Sequence, residues 1–367
     1  MLNIKSSNYS LSVGLLSILL LFGCGTTPGS GDDTSEADEE SAHTTTNTFN
    51  IVDKPDEKKV EVYVGEDLFT AYIYPDNIAK PVLYPLLTVS NKKLTRGFPL
   101  EPMAGERVDH PHHVGHWLNY GDVNGLDFWN NSEAIPEEKR NGYGNIRHQE
   151  VVSTSGGNQA TLNVKTQWET PDEVVLLDEA TEFIFSQKGN SRIIDRTTTL
   201  TARDQKVDFT DNKEGMIAIR VTRALELPSD KPEIFTDASG NPTEVKTLDN
   251  TGVLGNYLSS EGVEGNDVWA TRAKWVKLYS QISGEPVSIT IMDHPDNVGY
   301  PTYWHARGYG LFSANPLGQK VFSKGKEELN FTLEPGKSVT FKYRILIHSG
   351  EELKKEAVEA SYLSFVE

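Results

Sequence analysis

Alternation of apolar and polar positions dominates this chain. Residues 58–64, Lys-Lys-Val-Glu-Val-Tyr-Val, put their valines on one side of an extended strand, and residues 69–74, Phe-Thr-Ala-Tyr-Ile-Tyr, behave alike. Period-two patterns or short apolar runs return at 160–168, 180–185, 192–200, 207–209, 216–221, 274–281, 287–291 and 339–347. The run at 82–89 is fuller but broken by Pro85, which predicts an edge or bent strand. Turn residues punctuate these runs, as at Ser155-Gly156-Gly157-Asn158 and Glu334-Pro335-Gly336-Lys337. Helical spacing is confined to residues 350–360, with acids in the first turn. Many strands without βαβ alternation predict an all-β fold: one large antiparallel β-sandwich over 49–367 with a short C-terminal helix. Two stretches, roughly 91–147 and 229–272, resist a strand reading and are expected to be long functional loops.

The first 48 residues read differently. Lys5 precedes an apolar run from Leu11 to Phe22, short for a membrane span and suited to a signal peptide over 1–23. The run ends Leu21-Phe22-Gly23-Cys24, which resembles a bacterial lipobox; Cys24, the chain's single cysteine, is the expected lipidation site. Residues 24–48 are Gly, Ser, Thr and six acids with almost no apolar residue, the composition of a disordered acidic tether. The expectation is an outer-membrane lipoprotein whose body faces the periplasm or the cell surface. The formal charge is −18; without the six tether acids and Lys5 it becomes −13 for the body. Such a field repels nucleic acid, and no Lys/Arg-rich run opposes it. A polyanionic substrate would need a locally basic site.

Four of the nine histidines fall in Asp109-His110-Pro111-His112-His113-Val114-Gly115-His116. Imidazole is both the commonest metal ligand and the group that exchanges protons most readily near neutrality. Arg107, Trp117 and Trp129 flank the run, a composition suited to a polar, aromatic-walled pocket. Along an extended chain His110 and His112 would share one face, with His113 on the other. His110, His112 and His116 are candidate ligands for a divalent metal with one open position. The other option is a metal-free set that shares protons, with His112, His113 and His116 as acid/base groups. A cupin site would also need a nearby glutamate and a later Gly-His segment, and neither lies at the expected offset.

A second cluster runs from Tyr300 to Pro316 and holds Trp304, His305, Arg307 and Tyr309. His305 and Tyr309 are candidate catalytic groups, Trp304 a sugar-stacking surface, and Arg307 a bidentate carboxylate ligand. Gly308 and Gly310 point to close backbone approach. Glu214 and Arg220 lie at and inside an apolar strand, where a structural Glu–Arg pair is as reasonable as a substrate contact by Arg220. Gly-x-Ser-x-Gly, Walker and dinucleotide fingerprints are absent from the sequence.

The stretches 109–117, 121–129, 211–215 and 304–316 together resemble the family labelled methane oxygenase PmoA, over about 58–348 of this chain. The resemblance implies a secreted β-sandwich like those of sugar mutarotases and polysaccharide lyases. It also implies a place in polysaccharide degradation, including dehydration of a non-reducing-end uronic acid in ulvan-type oligosaccharides. It supplies motif positions, not residue roles. The residues suit that reaction. Eliminating water across C4 and C5 needs a base at C5, an acid at the leaving hydroxyl, and a cation for the carboxylate. The expected function is therefore a hydro-lyase acting on an anionic, uronate-containing oligosaccharide. A mutarotase or epimerase and a non-enzymatic glycan-binding lipoprotein are the alternatives.

Overall fold

The computed structural model describes residues 48–367. The expected signal peptide, lipidation at Cys24 and all but the last residue of the tether lie outside the described residues. Two eight-stranded antiparallel sheets form the body. The first sheet runs Phe49–Lys54, Lys59–Val64, Asp67–Ile73, Val82–Leu83, His116–Tyr120, Gly215–Arg220, Leu311–Asn315, Tyr303–Ala306. The second runs Asn256–Ser259, Trp275–Ile282, Glu285–Asp293, Ser338–Ser349, Ser191–Ala202, Val175–Lys188, Ala160–Glu169, Asn145–Ser155. Two short two-stranded sheets are added, Val207–Phe209 with Phe331–Leu333 and Glu233–Thr236 with Pro242–Val245. The fold is thus the all-β antiparallel sandwich that the alternation predicts.

The second sheet shows why alternation is informative. Strand Ser191–Ala202 buries every second residue, and Ala160–Glu169 does the same from Ala160 through Trp168. The inward set meets Leu118, Ile217, Ile219, Phe312 and Trp304 of the first sheet in one large core. That core is not wholly apolar. Glu179 and Arg196, on adjacent strands of the second sheet, pair within it at 3.2 Å. Trp168 Nε1 and Thr181 Oγ1 donate to the Glu179 carboxylate, and Arg196 Nε donates to Thr198 Oγ1. Burial works against the charge of Arg196 and lowers its pKa, with Glu179 opposing the shift.

The first sheet is covered on both sides. Leu118 and Tyr120 face the second sheet, while Trp117 joins a smaller cluster on the other face with Val114, Trp129, Ala218 and Leu311. Strands His116–Tyr120, Gly215–Arg220 and Leu311–Asn315 are consequently buried at every position. That explains why 91–147 conceals a central strand. The 229–272 stretch likewise contains Glu233–Thr236, Pro242–Val245 and Asn256–Ser259. The 82–89 run yields only the two-residue strand Val82–Leu83. The C-terminal helix forms at Lys355–Val366, later than expected. It packs Val358 and Tyr362 on Trp275, and Glu359 binds Lys274 and the Trp275 indole.

Removing one partner from a buried ion pair strands the other charge, at a cost of about 3–5 kcal/mol. Glu179→Ala should therefore lower the unfolding free energy by that much in urea denaturation. A loss under about 1 kcal/mol would show that Arg196 is not desolvated.

Candidate functional site

The site lies on the face of the first sheet that points away from the second, and one carboxylate organises it. Asp109 Oδ1 accepts from Arg96 Nη1 at 2.7 Å and from Arg220 Nη2 at 2.5 Å, while Oδ2 meets His110 Nδ1 at 2.6 Å. Burial opposes ionisation of Asp109, but the His110 hydrogen bond and the charges of Arg220 and Arg96 outweigh it and hold the carboxyl below the usual range. Arg96 also donates to the carbonyls of Arg107, Asp109, His110 and His113, fastening the whole loop. Within it, His113 N bonds His110 O and His110 has φ +45°. The segment is a turn, so the extended-chain partition of His110, His112 and His113 does not hold. Gly115, at φ +57°, lies where a Cβ would collide with the Leu83 carbonyl, which fixes the approach to strand His116–Tyr120.

Four rings then stack in sequence. Trp117 lies 5.4 Å from His113, His113 lies 4.9 Å from His110, and His110 lies 5.1 Å from Tyr309, the last two pairs within 4° of parallel. His110 is the exposed histidine of the loop, with 42% of its side chain accessible. Its Nδ1 is held by Asp109 and its Nε2 has no partner among the described residues. Tyr309 comes from the turn between Tyr303–Ala306 and Leu311–Asn315. The bonds Arg307 N to Leu311 O and Gly310 N to Arg307 O close this turn, with Gly310 at φ +92°. Arg220 lies under the Tyr309 ring at 4.9 Å and Arg307 lies 5.7 Å from its centroid. Burial pushes the phenol up to about 12 despite those two cations. Arg307 is exposed and forms no ion pair with any described carboxylate; its contacts are the Tyr309 and Trp269 rings.

His305 completes the group. It shares the outward parity of Tyr303, and its Nδ1 lies 3.7 Å from Glu214 Oε2. Glu214 is also paired with Lys213. Burial, with help from Lys213 and Arg307, lowers His305 to about 3, so it is a neutral imidazole at neutral pH. The cleft beside Tyr309 has a volume of about 510 Å³ and is walled by Arg107, Lys231, Asn266, Trp269, Arg307 and Tyr309, among others.

Other expected site residues are placed elsewhere. His116 is 0% exposed and shares the inward parity of Leu118; its Nδ1 lies 3.1 Å from Ala218 O, and it faces a small inter-sheet hollow with Glu179, Arg196 and Thr166. It cannot act on a ligand in the cleft. Trp304 points into the same core, with Nε1 donating to Ala273 O, and offers no stacking face. Trp117 and Trp129 are wholly buried beneath the histidine loop and support it from below. Arg220 is 0% exposed and paired with Asp109, so it neither meets substrate nor forms the expected pair with Glu214. Arg107 lines the cleft but is held by Glu226 and Glu233 at 2.7 Å each. His113 is buried, with Nδ1 3.3 Å from Arg220 Nη1. His112 lines a separate hollow with Asn131, and burial lowers it to about 2. The proposed metal trio does not converge, because His116 lies on the opposite face from His110. Among the described residues, no three His, Cys, Asp or Glu are placed to hold a metal ion. Asp109, Glu214 and Trp269 were missing from the expected site; the adjacency of Asp109 to His110 was the available signal.

Residues 59–362 match the profile of a family of unknown function, DUF6807. The chain belongs to DUF6807. No curated protein matches this DUF6807 chain. Among solved structures it is similar to a GH36 α-galactosidase from Geobacillus stearothermophilus, with TM-score 0.38, 10% identity, 82% of this chain covered and 41% of that one. The chain therefore spans about two fifths of that enzyme's length. It is also similar to a galactose mutarotase-like protein from Clostridium acetobutylicum, with TM-score 0.37, 13% identity, 82% of this chain covered and 98% of that one.

The buried histidines of this DUF6807 member give a pH signature. His113, His116 and His305 all have pKa values lowered chiefly by burial, the last two to about 3, against roughly 6.5 in an unfolded chain. Below about pH 6.5 the unfolded chain takes up protons that the folded chain refuses, so stability is full above that pH and falls toward pH 3, by about 1.4 kcal/mol per unit for each histidine. Urea denaturation between pH 7.5 and 4.5 should show the fall, and His116→Gln should flatten it by one proton's worth. A wild-type stability that does not decline between pH 7 and 5 would contradict this account.

Proposed function

We propose that this protein is a carbohydrate-active hydro-lyase that eliminates water from a terminal uronic acid of an oligosaccharide. The observation that carries the reading is the arrangement around Tyr309. An Asp-backed imidazole with a free edge stacks on its ring, and an arginine without a carboxylate partner lies over the same ring. A chain with a formal charge of −18 that leaves a cleft guanidinium unpaired is suited to an anionic ligand. The resemblance of the four stretches to the family labelled methane oxygenase PmoA, which implies such a dehydration, agrees with this reading.

In the proposed reaction the Arg307 guanidinium binds the uronate carboxylate and stabilises the charge that develops when C5 loses its proton. His110 Nε2 takes that proton, and Asp109 fixes the ring and balances the imidazolium that forms. Tyr309, which stays protonated because burial holds its pKa near 12, gives its proton to the departing 4-hydroxyl. The C5–H and C4–O bonds break, the C4–C5 double bond forms and water leaves. Return of the proton from His110 to Tyr309 resets the site. Neutral His305, beside Glu214, is buried and does not line the cleft, so it takes no part in these proton transfers.

The His305–Glu214 pair at 3.7 Å has the chemistry of mutarotation, though it lies outside the cleft lining, and the two readings separate cleanly. Elimination creates an ultraviolet-absorbing unsaturated uronate, whereas mutarotation changes optical rotation alone. Wild-type protein should generate absorbance from uronate-ended oligosaccharides. His110→Ala should lower kcat by about 10²–10⁴-fold. Arg307→Ala should raise KM for carboxylated substrate and spare any reaction on the methyl ester. Rotation change without absorbance would replace the lyase reading with the mutarotase one, and an undiminished His110→Ala rate would remove the dyad from the mechanism.

A further inference from the structure

The cleft extends past the reacting groups. At about 510 Å³ it lies in the range of ~300–1,000 Å³ typical of small-molecule ligand sites. Of the groups assigned to the uronate, Tyr309 and Arg307 line one end, and His110 adjoins it through its stack on the Tyr309 ring. Trp269, Asn266, Asp230 and Lys231 line the other.

The two ends differ in chemistry. Arg307 lies 5.7 Å from the Trp269 centroid and 5.7 Å from that of Tyr309, so its guanidinium marks the boundary between them. Beyond it, Trp269 supplies an aromatic wall, in T-shaped contact with Phe322 at 5.8 Å. Asn266 is exposed, and its side-chain amide makes no hydrogen bond with any described residue. The chain folds it against Gly308, where a side chain would crowd its Oδ1. Asp230 and Lys231 are neighbours in sequence, both exposed and without an ion-pair partner among the described residues, and their charges offset one another. Arg107 and Glu233 are already paired at 2.7 Å. This end therefore offers an aromatic wall, an amide and a balanced pair of charges, which suit the hydroxyls and CH face of a sugar and give no preference for an anion.

We propose that the Trp269–Asn266 end is a second subsite that holds the sugar next to the terminal uronate, and that it selects this residue by shape and hydroxyls without requiring a charge. The inference rests on the reading of the Arg307 end as the uronate subsite. It makes the protein an oligosaccharide enzyme with charge selection at the first ring only.

The test is calorimetric binding, with kinetics in parallel, using a uronate methyl glycoside and a disaccharide that joins the same uronate to an uncharged sugar. The disaccharide should bind at least about tenfold more tightly than the glycoside, roughly 1.4 kcal/mol. Asn266→Ala and Trp269→Ala should each bring that ratio toward one. Asn266 is exposed, so its variant keeps the test usable if Trp269→Ala fails to fold, as judged by circular dichroism. A disaccharide that binds no better than the glycoside, or a ratio unchanged in both folded variants, would overturn the second subsite. A ratio that depends on Asn266 without any absorbance from either compound would support the subsite and overturn the elimination reading instead. Adding a sulfate to the second sugar should change affinity by less than about threefold; a larger gain, lost in Lys231→Ala, would overturn the claim that charge is not selected there.

Discussion

Two buried guanidiniums share one carboxylate. Arg96 and Arg220 both reach Asp109 Oδ1, and the group is dry enough that Arg96 is lowered to about 9 by burial and by its neighbour Arg220. Two such cations this close would repel strongly without the anion between them. Asp109 thus does more than orient His110. It permits Arg96 to sit where it can hold four loop carbonyls, and it permits Arg220 to lie 4.9 Å from the Tyr309 ring centroid. The left-handed backbone of His110 is a conformation that a non-glycine residue adopts at some cost, and these bonds supply the compensation. The presentation of His110 to solvent is therefore a consequence of charges contributed by residues 96 and 220, far apart in sequence and fixed by the sheet.

The first sheet acts as a partition. Adjacent residues of one strand serve opposite sides: His116 enters the inter-sheet core while Trp117 stacks under His113. Trp304 and His305 divide in the same way. Strand periodicity of two makes this division strict, so a motif such as Trp304-His305-Ala306-Arg307 can send only alternate members to one side within the strand. Arg307 and Tyr309 escape the rule because they belong to the turn, which carries both to the cleft.

Alternation made the second sheet legible, because strands such as Ser191–Ala202 have one buried and one wetter face. It could not reveal His116–Tyr120, since a strand covered on both sides has no polar phase to read. The chemistry-bearing motifs occupy or adjoin these doubly covered strands, so a dense histidine run looked like an irregular loop. Composition drew attention to the right segment and to its partner around Tyr309. It could not rank the histidines. The ranking depends on which imidazole is left at the surface with a carboxylate behind it, and that is decided by contacts of Asp109 with Arg96 and Arg220.

The unpaired state of Arg307 is the natural complement of that arrangement. Arg96, Arg107, Arg196 and Arg220 are buried and each holds a carboxylate, so none can turn to a ligand without stranding a charge. Arg307 is held instead by the faces of Trp269 and Tyr309. Contact with ring faces steadies a guanidinium while leaving its N–H donors in the plane free. A carboxylate can then be bound bidentately with no internal ion pair to break. The ring that steadies Arg307 is also the ring on which His110 stacks, so in the proposed reaction binding the anion and removing a proton beside it would both be set by the position of a single tyrosine.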